Sequence, residues 1–413
     1  MTELVVHVEI GGTPVRAGIA YFTIGRKHVS TTFVYDSDYL SNPVGFDLEP
    51  ALPRQSGQQY VDKMPGSFQD CSPDRWGRNL INKRRRAEER AAGSRRLPAL
   101  TDVDYLVGVS DATRQGDLRF THVDGREFLD PAHAVPQLIS LPDLLDSADK
   151  VTEDGDDMAA VKALLEAGSG SLGGARPKAS VEGDDGSLLI AKFPHRDDEW
   201  DVMAWEKWAL DLAEASGIQT PTRRLTDVGA RRVLLLRRFD RRVDASRVGY
   251  LSALTLLNRR DGDEGDYLDI AEAIPEVGAN VNQDLRELYR RIAFNVAIHD
   301  TDDHLRNHGF LRAPGGWRLS PVFDVNPNPE LGRGRVTSIG GATDLDDEAA
   351  AVWDIAGDFR LGNDEARAVV GDVVDAMEEW RDVALRNNIA PREQDRFEEV
   401  LTDRLASLRE LVK

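Results

Sequence analysis

The sequence has very little cysteine and lysine and no long apolar run. Its 413 residues contain a single cysteine, Cys71, which excludes an internal disulfide and a zinc site built from several cysteines. We therefore interpret Cys71 as a structural residue and expect a cytoplasmic location. No apolar stretch approaches the roughly 18 residues of a membrane-spanning helix. The N-terminus, MTELVVHVEI, lacks the basic start and apolar core of a signal peptide, so we expect no membrane association.

Excess positive charge is also missing. The net charge is −20, which disfavours general attraction to nucleic acid but leaves room for a local basic patch or for DNA contact through a partner. Only nine of the 52 basic residues are lysines, so a lysine inside a candidate site is more informative than usual. The composition is typical of a globular protein, and the length allows about two or three domains.

The stretch 295–324 carries the clearest chemical pattern. Asp302 and Asn307 stand in the order D-x-x-x-x-N, and Asp324 follows in Val-Phe-Asp. Phosphoryl transfer requires an acid that orients the attacking hydroxyl and oxygen ligands for Mg²⁺, and kinases supply these groups in this order. The alternative is a polar loop after a helix, rich in aspartate because the whole protein is acidic.

The N-terminal part is expected to be rich in β-strands. Residues 1 to about 50 alternate short apolar segments with turn residues, which predicts an antiparallel sheet. Ser72-Pro73-Asp74 is a helix-start signal, and residues 75–96 after it form a basic amphipathic pattern. We interpret this helix as a solvated charged face, with a DNA-binding stripe as the alternative. A linker-like stretch from Pro131 to Pro142 places a boundary near residue 150.

A glycine-rich loop precedes two of the rare lysines. Glycines within 168–174 allow the backbone to approach phosphates and to form an anion-binding nest, and Lys178 closes this loop. Lys192 follows inside a predicted strand at 187–195, where an ammonium group costs free energy unless an anion is near. An ATP phosphate and a helix glutamate would suit it. Glu206, on a helix predicted at 199–216, is the leading candidate; the alternative is a surface acid.

The remaining chain leads from a predicted buried strand into helices. In kinases the connection between lobes follows such a strand, so Arg237 to Phe239, after the VLLL segment, are hinge candidates. The alternatives are a solvated turn or a binding surface for an acidic partner. Helical spacing predicts helices at 267–274, 285–300 and in about 362–413. A hairpin around Pro-Gly-Gly at 310–319 would bring Asn307 and Asp324 together.

Taken in order, these segments resemble the HipA-type serine/threonine kinases, the toxin half of bacterial HipA–HipB toxin–antitoxin pairs. The resemblance is carried by SLGGARPKAS, IAKFP, RRFDRR, YLDIA, TDDHLRNHGFL and PVFDVNP. It covers nearly the whole chain and is densest from 168 to 328. It implies an α+β, bilobal protein-kinase-like fold with a β-rich N-terminal part and a helical C-terminal lobe. The expected parts are residues 1–150, with a possible antitoxin contact, a nucleotide-binding part, 151–245, and a catalytic lobe, 246–413.

The resemblance also implies roles for individual residues. The ATP phosphates would be covered by Gly173, Gly174, Ala175, Arg176 and Lys178, and the α- and β-phosphates held by Lys192. The hinge would include Arg237 and Phe239. Asp302 would orient the substrate hydroxyl, His304 to Asn307 would border the nucleotide, and Asn307 and Asp324 would bind Mg²⁺. Ser171 matches the serine that family members autophosphorylate.

The expected function is therefore that of an ATP- and Mg²⁺-dependent protein kinase that arrests growth by phosphorylating a translation component such as an aminoacyl-tRNA synthetase. A HipB-like helix-turn-helix antitoxin would be its partner, with DNA contacted only through it. The alternatives are a small-molecule phosphotransferase and a catalytically silent antitoxin-binding scaffold. The sequence departs from the protein-kinase pattern at Asp300, which replaces a histidine, at Asp303, which adjoins Asp302, and in Val-Phe-Asp-Val, which lacks a glycine.

Overall fold

The computed structural model describes residues 2–25, 28–91, 99–129, 135–153, 157–169 and 176–413. The chain forms two compact units. The first comprises Met1–Asp197 and Thr226–Leu251, and the second comprises Asp198–Leu225 and Ser252–Lys413. The division into three parts that the sequence suggested stays a prediction.

The first unit begins with an antiparallel sheet, as predicted. Its strands are β1 (Thr2–Ile10), β2 (Thr13–Ile24), β3 (Val29–Tyr35), β4 (Gln58–Val61) and β5 (Leu118–His122), in the order β4-β3-β2-β1-β5. The apolar alternation buries Leu4, Val6 and Val8 completely. A Cβ at Gly18 would lie 2.2 Å from the carbonyl oxygen of Val34, so only glycine allows β2 and β3 to approach this closely.

A second antiparallel sheet and several helices complete the first unit. The helices are α1 (Ser37–Ser41), α2 (Gly66–Asp70), α3 (Arg75–Ala91), α4 (Asp102–Val107), α5 (Leu141–Glu153) and α6 (Met158–Glu166). The strands are β6 (Lys178–Glu182), β7 (Leu188–Lys192), β8 (Arg223–Val228, which enters this unit at Thr226) and β9 (Arg231–Arg237), in the order β6-β7-β9-β8. Each sheet has its own hydrophobic cluster.

The basic helix α3 makes several contacts within the first unit. Arg78 lies 2.9 Å from a carboxylate oxygen of Asp102, and Lys83 donates to the carbonyl oxygen of Val151 at 2.6 Å. Part of its charge is therefore bound by the protein itself, which favours the interpretation as a charged surface helix.

The second unit is mainly helical. Its helices are α7 (Val202–Ala215), α8 (Ala253–Leu256), α9 (Tyr267–Val277), α10 (Val281–Ala297), α11 (Glu348–Asp354), α12 (Asn363–Glu378), α13 (Trp380–Arg386) and α14 (Pro391–Val412). The short strands are β10 (Tyr250–Ser252, which enters this unit at Ser252), β11 (Gly265–Asp266), β12 (Gly309–Ala313), β13 (Gly316–Leu319) and β14 (Thr337–Ser338). Helix α10 packs against α9, α11, α12 and α14 and so forms the centre of this unit.

Local sequence signals explain the elements around the candidate catalytic loop. Asp266 and Asp269 form a capping box that starts α9. The predicted hairpin is confirmed as β12 and β13, where Ala313 pairs with Gly316 around the turn residues Pro314 and Gly315. Within the described residues, no helix is both long and apolar enough to cross a membrane. The α+β fold class, with a β-rich N-terminal part and a helical C-terminal part, is confirmed.

Candidate functional site

The candidate catalytic loop begins where α10 ends in the second unit. His299 is fully buried and has left-handed backbone geometry, with φ 54°. Burial lowers the pKa of its imidazole, and Nε2 donates to the carbonyl oxygen of Glu330 at 3.0 Å. His299 thus turns the chain out of the helix and attaches it to the segment that follows Asp324.

Asp302, the predicted acid, lies exposed on the second unit. Its side chain is 73% exposed, and its Oδ1 lies 3.3 Å from Nη2 of Arg333, whose side chain is 52% exposed. An ion pair this accessible to water is weak, so the carboxylate can exchange Arg333 for another partner. The backbone N–H of Asp302 donates to Oδ1 of Asp300 at 3.3 Å. The main chain is therefore held while the carboxylate stays accessible to an incoming hydroxyl.

Asp303, the neighbouring aspartate, has the opposite environment. It is buried, and its Oδ2 accepts hydrogen bonds from the Tyr267 hydroxyl, from Asn295 Nδ2 at 2.7 Å and from His308 Nε2 at 2.9 Å. Burial raises the pKa of the Asp303 carboxyl, but His308 and Tyr267 outweigh burial and lower it overall. Asp303 is thus a structural anion, and the choice of Asp302 as the acid gains a physical reason beyond its spacing to Asn307.

Asn307 and His304 lie in the candidate catalytic loop, at and near its short 3₁₀ turn. Asn307 is buried at the end of this turn, Leu305–Asn307. Nδ1 of His304 is buried without a hydrogen-bond partner among the described residues. Buried polar groups normally find a partner. Nδ1 of His304 therefore fits a contact to a ligand, and the carboxamide oxygen of Asn307 is a suitable ligand atom for a metal ion.

Asp324, the second predicted Mg²⁺ ligand, is held in an uncommon backbone conformation. Its φ is 59°, in the left-handed region, and its carboxylate contributes to the raised pKa of Asp300 after burial and Asp303. Within the described residues, no group of three or more histidine, cysteine, aspartate or glutamate side chains could hold a metal. Mg²⁺ commonly takes one or two carboxylates and completes its shell with phosphate oxygens and water, which Asn307 and Asp324 suit.

The two candidate phosphate-binding lysines lie on adjacent strands of the second sheet in the first unit. Lys178 on β6 and Lys192 on β7 are register partners, and both are buried. Like charges opposite each other are unfavourable unless an anion is present, and Asp74 Oδ2 lies 3.0 Å from Lys178 Nζ. Asp74 offsets the charge of Lys178, and contact of either lysine with a phosphate stays a prediction.

Other predicted site residues are placed only in part. Gly173, Gly174, Ala175 and Ser171 lie outside the described residues, whereas Arg176 is half-buried just before β6. Glu206 is on the predicted helix, α7, and is 1% exposed, so it is not a surface acid. Its pairing with Lys192 stays a prediction.

The segment after β9 is anchored inside the first unit by arginines. Arg238 donates to the carbonyl oxygen of Thr113 at 2.6 Å and to Asp240, and Arg241 donates to the carbonyl oxygen of Arg114 at 2.7 Å. These side chains are buried, which argues against a solvated turn or an acidic-partner surface at both positions. Of the two hinge candidates, Arg237 lies 3.7 Å from Asp185 and Phe239 packs near Tyr250; their contact with adenine stays a prediction.

Sequence reasoning assigned no role to several residues that support the loop. Arg335 is buried, lies 2.8 Å from Glu348 and donates weakly to the Tyr267 hydroxyl at 3.4 Å. Together with His308 and Asn295, these residues form the polar network under Asp303. One signal was available, because Asn295 is the single polar residue in the apolar run IAFNVAI, where a polar side chain must find a buried partner.

Comparison with known proteins finds matching family models over much of the chain. The model described as the HipA-like C-terminal domain matches residues 170–381, and the one described as the HipA N-terminal domain matches residues 17–99. No curated protein sequence matches the chain.

Two solved structures are similar to this chain, to different extents. The chain is similar to one in the complex of HipA, HipB and operator DNA from the Shewanella oneidensis MR-1 toxin–antitoxin system, with 14% identity, a TM-score of 0.70 and coverage of 98% of this chain and 97% of that one. It is also similar to the Helicobacter pylori proinflammatory kinase CtkA, with 13% identity, a TM-score of 0.44 and coverage of 57% and 92%. At such identity the first similarity establishes fold, and function must be argued from the site.

Proposed function

Because this chain belongs to the HipA family, we propose that it is an ATP- and Mg²⁺-dependent serine/threonine protein kinase that acts as a growth-arresting toxin. The contrast between the two adjacent aspartates carries the proposal. Asp302 is exposed, whereas three hydrogen bonds occupy Asp303. The carboxylate of Asp302 is thus accessible to a substrate hydroxyl, whereas that of Asp303 is bound by the protein itself.

In the proposed reaction Asp302 orients the serine or threonine hydroxyl and accepts its proton. The hydroxyl oxygen attacks the γ-phosphorus of ATP, the bond from that phosphorus to the β–γ bridging oxygen breaks, and ADP leaves. Asn307 and Asp324 would supply oxygen ligands for Mg²⁺, and the bound ion would offset the negative charge of the phosphate oxygens. Lys192 holds the α- and β-phosphates. The glycine-rich loop that ends at Lys178 covers the ATP phosphates. Positioning and charge stabilisation account for most of the rate.

The biological setting of the proposal comes from the family resemblance. The similar Shewanella chain is found in a complex of HipA, HipB and operator DNA, so we propose a HipB-like antitoxin as partner, with DNA reached through it. The proposed target is a translation component such as an aminoacyl-tRNA synthetase, in the cytoplasm. Autophosphorylation of Ser171 would silence the kinase.

Intact-mass measurement after incubation with Mg²⁺-ATP tests the proposal. The wild type should gain a phosphate that peptide mapping places on Ser171. Asp302→Asn should slow this gain by about 10²–10⁴-fold, the usual contribution of a positioned acid–base group, with unchanged thermal unfolding because Asp302 is exposed. The control is Asp364→Asn, since Asp364 is also exposed and lies 3.7 Å from an arginine, Arg367. It should behave as wild type.

Two outcomes would contradict the proposal. Equal phosphate gain in Asp302→Asn and wild type would remove Asp302 from the reaction. Transfer to an aminoglycoside or lipid, with none to Ser171 or to purified aminoacyl-tRNA synthetases, would favour a small-molecule phosphotransferase.

A further inference from the structure

The buried side chain of Asp300 joins the loop that carries the candidate acid, Asp302, to the loop that carries a candidate metal ligand, Asp324. Asp300 is 3% exposed. Its Oδ1 accepts the backbone N–H of Asp302 at 3.3 Å, and its Oδ2 accepts the backbone N–H of Asn326 at 3.1 Å. Asn326 stands two residues after Asp324. The side chain of Asp300 therefore contacts the backbone of Asp302 and the backbone two residues after Asp324.

Other hydrogen bonds hold the same two loops together without Asp300. Asn328 donates its backbone N–H to the carbonyl oxygen of His299 at 3.2 Å and its side-chain amide to Thr301 Oγ1 at 2.8 Å. Val336 donates its backbone N–H to the carbonyl oxygen of Thr301 at 3.0 Å. Because these bonds would survive replacement of Asp300, such a replacement should move the loops locally rather than separate them.

The backbone conformation of Asp324 depends on how the chain around it is held. A left-handed conformation is uncommon at residues other than glycine and persists where the surroundings hold it. Asp324 adopts this conformation with φ 59°. The bond from Asn326 to Asp300 fixes the chain immediately after it.

We propose that Asp300 is a positioning residue that sets the placement of the Asp302 and Asp324 carboxylates by binding the backbone on both sides. This inference rests on the proposed kinase function. The side chain of an aspartate suits the task because each of its two oxygens accepts one N–H. An asparagine offers one oxygen and would direct its NH₂ group at the other N–H, which leaves two donors facing each other.

The variant Asp300→Asn tests the inference, with Asp284→Asn as the matched control. Asp284 is also 3% exposed and accepts one backbone N–H, that of Leu319 at 3.4 Å, but it contacts neither loop residue. Three quantities are measured for each variant: the thermal unfolding midpoint, ATP affinity by calorimetry with Mg²⁺ and with EDTA, and the rate of autophosphorylation.

We expect a selective effect in Asp300→Asn. Its affinity for Mg²⁺-ATP should fall roughly tenfold, as for other residues that orient metal ligands, whereas ATP affinity in EDTA should match wild type. Its phosphorylation rate should fall on the order of 10²-fold, the effect of a small displacement of reacting groups. Asp284→Asn should match wild type in both affinities and in rate.

Other outcomes would contradict the role of Asp300, the kinase proposal or both. If Asp300→Asn loses only thermal stability and, like Asp284→Asn, keeps both affinities and the rate, then Asp300 is merely structural and the inference is wrong. If it matches wild type throughout, the inference is also wrong. If wild type binds Mg²⁺-ATP without transferring phosphate, the kinase proposal fails, while the affinity comparison still decides the role of Asp300. A wild type that binds no Mg²⁺-ATP overturns both.

Discussion

The two units each bury an aspartate, but they satisfy it by different means. In the first unit Asp240 lies between the guanidinium groups of Arg238 and Arg241. In the second unit Asp303 is bound by one imidazole and by two uncharged donors, a hydroxyl and an amide. The difference concerns what remains when one member is removed. Loss of Asp240 leaves two buried cations, whereas loss of one donor from Asp303 leaves an anion with two partners.

This difference matches what each cluster supports. The Asp240 cluster ties the chain after β9 to residues 113–116, since the N–H of Gly116 donates to Asp240 at 2.8 Å and both arginines donate to backbone carbonyl oxygens. The Asp303 cluster lies beneath the exposed Asp302. We infer that the first cluster acts through stability alone and that the second shapes a reactive loop. Substitutions in the Asp240 cluster should therefore lower the unfolding free energy more than substitutions around Asp303.

The largest effect is expected from Asp240→Asn. The change keeps the shape but removes the charge that both arginines share, and breaking a buried ion pair by removing one partner typically costs about 3–5 kcal/mol. Chemical denaturation should show this loss of unfolding free energy. The control is Asp185→Asn, because Asp185 pairs with Arg237 at 3.7 Å and is 61% exposed; its effect should stay below about 1 kcal/mol. Similar small losses in both would break the comparison.

The Asp240 cluster should also influence how stability depends on pH in acid. Burial raises the pKa of the Asp240 carboxyl, but Arg238 and Arg241 outweigh it and hold the pKa well below its usual range. A carboxyl with a lowered folded pKa contributes stability that is present above its unfolded pKa, about 3.9, and is lost as the pH falls towards the folded value. Asp240→Asn should therefore flatten the fall in stability of the protein below about pH 4.

Local pattern predicted most of the secondary structure and the chemical identity of the loop. The strands β7 and β9 and the helices α7, α9 and α10 are where apolar periodicity placed them, because periodicity depends on neighbouring residues. The order of Asp302, Asn307 and Asp324 was likewise visible. These features need no knowledge of distant contacts.

The environment of each residue was not visible, because it depends on residues far away in the chain. Asp302 and Asp303 are adjacent and chemically identical, and the hydrogen bonds that make Asp303 structural include one from Tyr267, which lies 36 residues before it. Lys178 meets Asp74 across 104 residues, and Arg238 meets Thr113 across 125. No local pattern encodes such distant pairs, so these two contacts escaped the sequence analysis.

An intermediate effect is expected from Tyr267→Phe. This change removes a hydrogen bond to a charged acceptor, Asp303, and should lower the unfolding free energy by about 1.5–3 kcal/mol. The control is Tyr289→Phe, because Tyr289 is also fully buried but donates to an uncharged carbonyl, that of Val352 at 3.0 Å. It should cost about 0.5–1.5 kcal/mol. Equal costs would mean that the charge of Asp303 adds nothing to the hydrogen bond from Tyr267.

The smallest effect is expected from Arg333→Ala, at the exposed edge of the same loop. Arg333 and Asp302 are both more than half exposed, and an exposed ion pair contributes about 0–1 kcal/mol, so the thermal unfolding midpoint should barely move. Arg335→Ala is the reference two residues away, because Arg335 is buried against Glu348 at 2.8 Å, and its loss should destabilise the protein strongly. A large destabilisation by Arg333→Ala would mean that its pair with Asp302 is part of the scaffold, and Asp302 would then lose the accessibility that distinguishes it from Asp303.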